Sequence, residues 1–395
     1  MGKIYNFDKG VHRRGSDARK FDPSLCPSDV LPFWIADTEF MSPVEVKEAI
    51  IKRAELGHFG YPYINEDFEK SVAYWYKVRH NAKIDPELVN FSPFVIPGMI
   101  WFIKEFSNVG DKILIQTPVY PPFHTMVKNN GRQLVCNKMI LKKGHYEIDF
   151  CDLEKKLSDP AVKILFICNP QNPTGRCFTK EELTKMGNLC LKYNVMVGVD
   201  EIHADIVYDN REFVCFSEIN EDFGNISVTF LNPAKTFNVA GFGTAAWFTH
   251  NKNIYDRMFN QQSYASGMGR TILGHIALVT CYTKGEDYAN QLVKYLNETR
   301  DEVIDFFKKN IPSIKVIKPE ATYMAWLDCR KLGFKTQKEY NDFFKEEAKV
   351  LLNDGSTFGK TEGFGFMRFN FASQRSIVRE GMNRIKDAVE RHFNK

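Results

Sequence analysis

Between residues 97 and 249 the chain alternates between two textures. Short apolar runs stand at 112–117, 132–141, 163–168, 195–200, 226–231 and 244–249, with helical segments between most of them at 97–108, 119–130 and 180–193. Few folds accept such a pattern. Strands joined by helical crossovers run parallel, and the helices bury both faces of the sheet, which is why the runs are apolar throughout. The pattern predicts an α/β domain with a mainly parallel sheet. In open sheets of this kind ligands sit beyond the carboxyl ends of the strands. Tyr120, Asn172, Asp200 and Lys235 stand at or just past such ends.

The flanks read differently. Residues 1–42 form an irregular arm with one apolar run, L-P-F-W-I-A-D at 31–37. Pro43 opens a predicted helix over 43–56 that Gly57 ends, and a second spans 66–80 after a turn at Gly60–Tyr63. A long amphipathic helix is predicted over 287–310. Strands follow at 314–318 and 322–328, then a helix at 337–349, a strand at 365–371 and a last helix at 374–393. At 395 residues the chain exceeds one typical core. The expected organisation is a large domain over 43–286 and a smaller α+β domain over 287–395, to which the arm 1–42 belongs.

Bulk properties exclude several function classes. The net charge is only +4, with both signs interspersed, so no nucleic-acid partner is expected. No apolar stretch approaches a membrane span, and the N-terminus has no signal core. Nine cysteines without close pairing read as reduced thiols, and neither a disulfide frame nor a metal site is expected. These features predict a soluble, cytoplasmic protein.

Lys235 is the focus of the chemistry. None of the other 52 cations among the 53 lies within nine residues of it. It follows an alternating run, Ile226, Val228, Phe230, and an Asn232-Pro233 turn. Burial lowers a lysine's pKa and makes it a Schiff-base nucleophile; the alternative is a solvated surface charge. N-P-Q-N-P-T-G (169–175) is either a structural turn or a rigid loop that aims the Asn172 amide. Asp200, at the end of a buried run, is a helix cap or a carboxylate awaiting a donor. His203 is a core histidine or a site residue. Arg368, inside G-F-M-R-F-N-F-A (365–372), pairs with an internal acid or with the carboxylate of a ligand.

A lysine, an aspartate and an arginine so placed outline a pyridoxal phosphate site. With these residues the chain resembles the fold-type-I pyridoxal-phosphate enzymes of the class I/II aminotransferase superfamily, and within it the cystathionine β-lyase (MalY/PatB-type C–S lyase) branch. The motifs behind the resemblance run in order along the chain: N-F-D (6–8), R-R-G (13–15), L-P-F-W-I-A-D, H-F-G-Y (58–61), P-V-Y-P-P-F (118–123), N-N-G-R-Q (129–133), N-P-Q-N-P-T-G, D-E-I-H-A-D (200–205), A-K-T-F-N-V-A-G (234–241), L-N-D-G-S-T-F-G (352–359) and G-F-M-R-F-N-F-A.

The resemblance implies a role for each site residue. Lys235 carries the cofactor as a Schiff base and then shuttles the Cα proton. Asp200 pairs with the pyridinium nitrogen, Asn172 donates to the phenolic oxygen, and Tyr120 stacks on the ring. His203 belongs to the cofactor site, and backbone N–H groups of Val95 and Ile96 face the phosphate. Arg368 holds the substrate carboxylate under backbone near Ile35 and Ala36. Tyr61 reaches the site of a partner subunit, which implies a homodimer. The implied reaction cleaves cystathionine or related cysteine S-conjugates to a thiol, pyruvate and ammonia. An aminotransferase on the same scaffold is the second reading, and a catalytically silent binding or regulatory protein the third.

The chain departs from the branch pattern around the phosphate. Phe94 stands where a glycine is usual, Ala234 replaces a serine, Gly243 replaces a glutamine, and Thr38-Glu39 replaces Met-Asp. Tyr61, Thr229 and Asn232 are the candidates to supply the missing donors.

Overall fold

The apolar runs pair into one seven-stranded sheet in the computed structural model, which describes residues 3–63, 65–266 and 269–394. The strands are β1 (Val89–Ser92), β2 (Lys112–Thr117), β3 (Gln133–Lys138), β4 (Val162–Cys168), β5 (Met196–Asp200), β6 (Ser227–Leu231) and β7 (Ala245–Phe248). Their spatial order is β1-β7-β6-β5-β4-β2-β3, and only β7 runs against its neighbours. The sheet is mainly parallel, as the alternation predicts.

Both faces are covered, which explains the unbroken apolar runs. Ile113, Ile115, Ile164, Phe166, Val228 and Phe230 face one core, with Met99 and Phe102 of the helix Val95–Phe106. Leu114, Leu165, Ile167, Val197 and Val199 face the other, under the helix Lys180–Tyr193. Each such side chain contributes roughly 1.5–3 kcal/mol when fully buried. Thr179 and Glu182 close a capping box on that helix, and Asn194 ends it in the left-handed conformation.

A second sheet of four antiparallel strands has the order Lys315–Ile317, Met324–Asp328, Phe366–Asn370, Asn353–Asp354. The arm is tied to this region. Leu31–Pro32 pairs parallel with Val350–Leu351, and the Phe33 ring stacks on Phe369 at 4.6 Å.

Several predicted elements change. The helix expected over 337–349 is cut to Gln337–Asp342, followed by one π turn, Phe343–Glu347, and Lys349 at φ 55°. The chain leaves the helix there because Val350 pairs with Leu31. The run 132–141 divides into β3 and a strand Ile140–Lys142, which turns back onto His145–Glu147. The helix expected from 119 starts at Pro122, which leaves Tyr120 in the loop after β2. The strand Val89–Ser92 and the helices Phe150–Leu157, Lys252–Ser266 and Ile272–Lys284 had no counterpart in the sequence reading.

Candidate active site

Four parallel strands end on the same side of the sheet, and their last residues or following loops meet there. Tyr120 follows β2, Asn172 follows β4, Asp200 closes β5 and Lys235 follows β6. All four line one cavity of about 150 Å³, together with His203 and Ala36 of the arm. Val95 and Ile96 complete the wall from the first turn of the helix Val95–Phe106, where backbone N–H groups have no intrahelical acceptor.

Lys235 sits in a four-residue helix, Ala234–Phe237, set by Asn232-Pro233. Its Nζ donates to the Ala36 carbonyl at 2.6 Å. Burial and then the Arg368 charge push its pKa down to about 8, against the opposing pull of Asp37 and Asp200. Asp200 moves the other way: burial raises it to about 6, offset by the Ile202 N–H, which donates to Oδ1 at 3.1 Å, and by Lys235. The cavity thus holds an amine that gives up its proton easily and a carboxylate short of donors.

The Asn172 amide is oriented by Arg368. Arg368 Nη1 donates to Asn172 Oδ1 at 3.0 Å, which turns the NH2 group away with no protein partner among the described residues. Arg368 Nη2 donates to the Trp34 carbonyl at 2.8 Å, its Nε has no partner, and the guanidinium lies 5.0 Å from the centre of the Phe358 ring. The side chain is 2% exposed, yet no carboxylate pairs with it among the described residues. The internal-acid alternative for Arg368 therefore fails. Leaving a guanidinium buried beside neutral groups is costly, and burial lowers its pKa to about 10. Arg368 lies behind the cavity wall, in contact with Asn172, and Ile35 likewise sits one layer back, its carbonyl bound by Asn370 Nδ2 at 2.6 Å.

His203 is buried, and its Nδ1 has no partner among the described residues. Burial and the Lys235 and Arg368 charges hold it neutral, well below the usual histidine range. Tyr61 is fully exposed and lies apart, beside a surface hollow with Arg53, Tyr63 and His275. It takes no part in the cavity of its own chain.

Two sets of supporting residues escaped the sequence reading. Four consecutive carbonyls of the arm are held by side chains: Trp34 by Arg368, Ile35 by Asn370, Ala36 by Lys235 and Tyr323, and Asp37 by Asn370 and, within the arm, Lys20. Lys20, 1% exposed, also pairs with the Asp37 and Glu39 carboxylates, which Arg13 bridges from the other side. The second set centres on Asp205. Its carboxylate accepts from Trp75 Nε1 at 2.9 Å and from Thr236 Oγ1 at 2.6 Å, and it lies 3.0 Å from His80 Nε2. Thr236 follows Lys235 in the chain, so this hub fixes the turn that carries the lysine. Asp205 closes D-E-I-H-A-D, but nothing in that motif names its partners.

The donor set fits pyridoxal phosphate. His203 Nδ1 is buried with no partner among the described residues, a condition that a buried polar atom rarely keeps unless a ligand satisfies it, and it shares the cavity wall with Asp200 and Asn172.

The family model "Aminotransferase class I and II" matches residues 29–385. Cystathionine β-lyase PatB of Bacillus subtilis (strain 168) is 36% identical over 393 residues, covering 97% of this chain and 100% of that protein. Protein MalY of Escherichia coli (strain K12) is 29% identical, covering 98% of this chain and 99% of that protein. Among solved structures, cystalysin from Treponema denticola, which contains a pyridoxal 5'-phosphate cofactor, superposes with a TM-score of 0.95 at 33% identity and covers 98% of this chain and 100% of its own. The chain belongs to the class I and II aminotransferase family.

Proposed function

We propose that the protein is a pyridoxal-phosphate-dependent C–S β-lyase that cleaves cystathionine or related cysteine S-conjugates to a thiol, pyruvate and ammonia. The observation that carries the reading is the buried guanidinium of Arg368, which lacks an acid and lies against the wall of a cavity that also holds Lys235 and Asp200. A ligand with an α-amino and an α-carboxylate group matches that arrangement.

Lys235, Asp200, Asn172, His203 and Tyr120 would hold the cofactor, with the backbone N–H groups of Val95 and Ile96 available to its phosphate. When bound, the cofactor supplies an electron sink for the charge that develops at the substrate Cα, which no side chain can provide. The residues of the chain do the rest. Lys235 would hold the cofactor through its amine and would take the Cα proton at Nζ; a pKa near 8 suits a general base at neutral pH. Asp200 would hold a proton on the cofactor's ring nitrogen, a partner that would keep the buried carboxylate ionised. Arg368 fixes the substrate carboxylate and so orients the Cα–H bond. Tyr120, which lines the cavity, would stack on the cofactor and exclude water there. Ala36 of the arm also lines the cavity.

The reading extends to a homodimer. Tyr61, Tyr63, Phe59 and Leu56 are strongly exposed over one short stretch, which supports burial against a second copy, with Tyr61 serving the partner's cofactor. It extends also to a reducing, cytoplasmic setting, supported by nine cysteines without a disulfide. No helix among the described residues is long and apolar enough to cross a membrane.

The test is a product assay on the cofactor-loaded protein with cystathionine. Equal amounts of pyruvate and free thiol are expected. Transfer of the amino group to a 2-oxo acid with no thiol released would establish the aminotransferase reading instead. A protein without a visible absorption band after cofactor is added would be the silent binding protein.

A further inference from the structure

One backbone oxygen of the arm takes donors from two different parts of the fold. The Ala36 carbonyl accepts from Lys235 Nζ at 2.6 Å and from Tyr323 Oη at 3.1 Å. A carbonyl has two lone pairs, so this one is fully used. Lys235 reaches it from the turn after β6, and Tyr323 from the residue before the strand Met324–Asp328 of the second sheet. Tyr323 is fully buried and does not line the cavity. Its own carbonyl accepts from the Phe371 N–H at 3.0 Å, next to the strand that carries Arg368. Its ring meets the His203 ring edge-on, with 6.1 Å between centres. A carbonyl only accepts, so the hydroxyl donates. Burial and then the Asp37 charge hold the phenol well above its usual range, so it keeps its proton.

The two donors differ in permanence. When a lysine condenses with an aldehyde, the neutral amine gives both its protons to the aldehyde oxygen, which leaves as water. A double bond from nitrogen to carbon replaces the two N–H bonds. The hydrogen bond from Lys235 to Ala36 is lost with them. The carbonyl cannot follow the lysine or turn aside, because Arg368 holds the Trp34 carbonyl and Asn370 holds those of Ile35 and Asp37. Tyr323 is then the donor that remains. Without it the carbonyl would be satisfied while Lys235 is free and bare once the lysine has reacted, and that difference would count against the reaction.

We propose that Tyr323 is a positioning residue for Lys235: it keeps the Ala36 carbonyl satisfied when the lysine amine is drawn off to the cofactor aldehyde, and so favours that capture. The proposal rests on the reading that the cavity takes pyridoxal phosphate. Tyr323 acts through Ala36 and has no face on the cavity. Its effect belongs to the covalent bond alone, and it is absent wherever the lysine is absent.

The test is a double-mutant cycle read by equilibrium dialysis of the full-length, cofactor-free protein against pyridoxal 5'-phosphate and against pyridoxal, which lacks the phosphate. Tyr323→Phe removes one oxygen. It should weaken both compounds by the same factor, about five- to thirty-fold, the cost of a partly buried carbonyl left without a donor. In Lys235→Ala the carbonyl lacks the lysine before binding as well as after. Adding Tyr323→Phe to that variant should therefore change either affinity less than about two-fold. The melting temperature of cofactor-free Tyr323→Phe should stay within a few degrees of wild type, because Lys235 still holds the carbonyl, and this confirms that the variant folds. An equal loss with and without Lys235 would overturn the proposal, since Tyr323 would then act on the cavity in general. Unchanged affinity in Tyr323→Phe would overturn it, and so would a loss confined to pyridoxal 5'-phosphate, which would place the effect at the phosphate. A wild-type protein that binds neither compound would instead overturn the reading of the cavity, and the proposal with it.

Discussion

Arg368→Leu isolates the group that the proposed function depends on. In the structure the guanidinium uses Nη1 on Asn172 and Nη2 on the Trp34 carbonyl, and Nε has no partner among the described residues. A substrate carboxylate can take the Nη2–Nε edge by displacing Trp34. That gives two charge-assisted hydrogen bonds of about 1.5–3 kcal/mol each, less about 1 kcal/mol for the neutral bond given up. The net is roughly 2–5 kcal/mol, or about thirty- to several thousand-fold in affinity. The assay compares an unreactive amino acid with its decarboxylated amine, each titrated against the cofactor-loaded enzyme by its absorption change. Wild type should prefer the acid by about that factor, and Arg368→Leu should lose the preference while its affinity for the amine stays within a few-fold. If the variant loses both ligands equally, the effect of Arg368 runs through Asn172 and the carboxylate assignment is wrong. If it keeps the preference, the assignment is wrong outright.

Lys235→Ala should show no cofactor band that borohydride can trap and should lose turnover by several orders of magnitude, measured as pyruvate release. Asp200→Asn should stabilise the cofactor-free protein. The folded pKa is raised to about 6 from 3.8, so the folded state binds more protons than the unfolded one between those values, and the burial penalty is full above about pH 6. The melting temperature of the variant should therefore exceed wild type at pH 8, with the gap closing toward pH 4; a constant gap would contradict the burial argument. Thr236→Val, which leaves Asp205 one donor short at 2.6 Å, should lower kcat more than it raises KM, because it loosens the turn beneath Lys235. Light scattering should report twice the 45.7 kDa chain mass, and a fully active monomer would remove the role given to Tyr61.

The sheet and its cavity were legible because apolar runs between crossover helices leave few topologies. The strand ends that the sequence marks at Tyr120, Asn172, Asp200 and Lys235 do meet around one cavity. Arg368 was legible as a cation among apolar neighbours, but not its lack of an acid, which is a fact about space. What the sequence hid was pairing at a distance. The helix predicted through 349 stops early because the arm takes its last residues into a strand pair. Residues 250–286 carried no strand–helix alternation, so their two helices passed unread.

The contacts that make the site join distant points of the chain. Lys235 and Ala36 are 199 residues apart, Arg368 and Asn172 are 196, Arg368 and Trp34 are 334, and Trp75 and Asp205 are 130. Closing such loops is entropically unfavourable until the surrounding core has formed, so these contacts arise late in folding. Chemical competence is then the last property the molecule acquires, and a fragment that keeps the seven-stranded sheet but lacks the arm or the last strand has no way to hold a substrate. Recovery of turnover on refolding should lag recovery of helix signal, which makes the reaction itself a strict reporter of complete assembly.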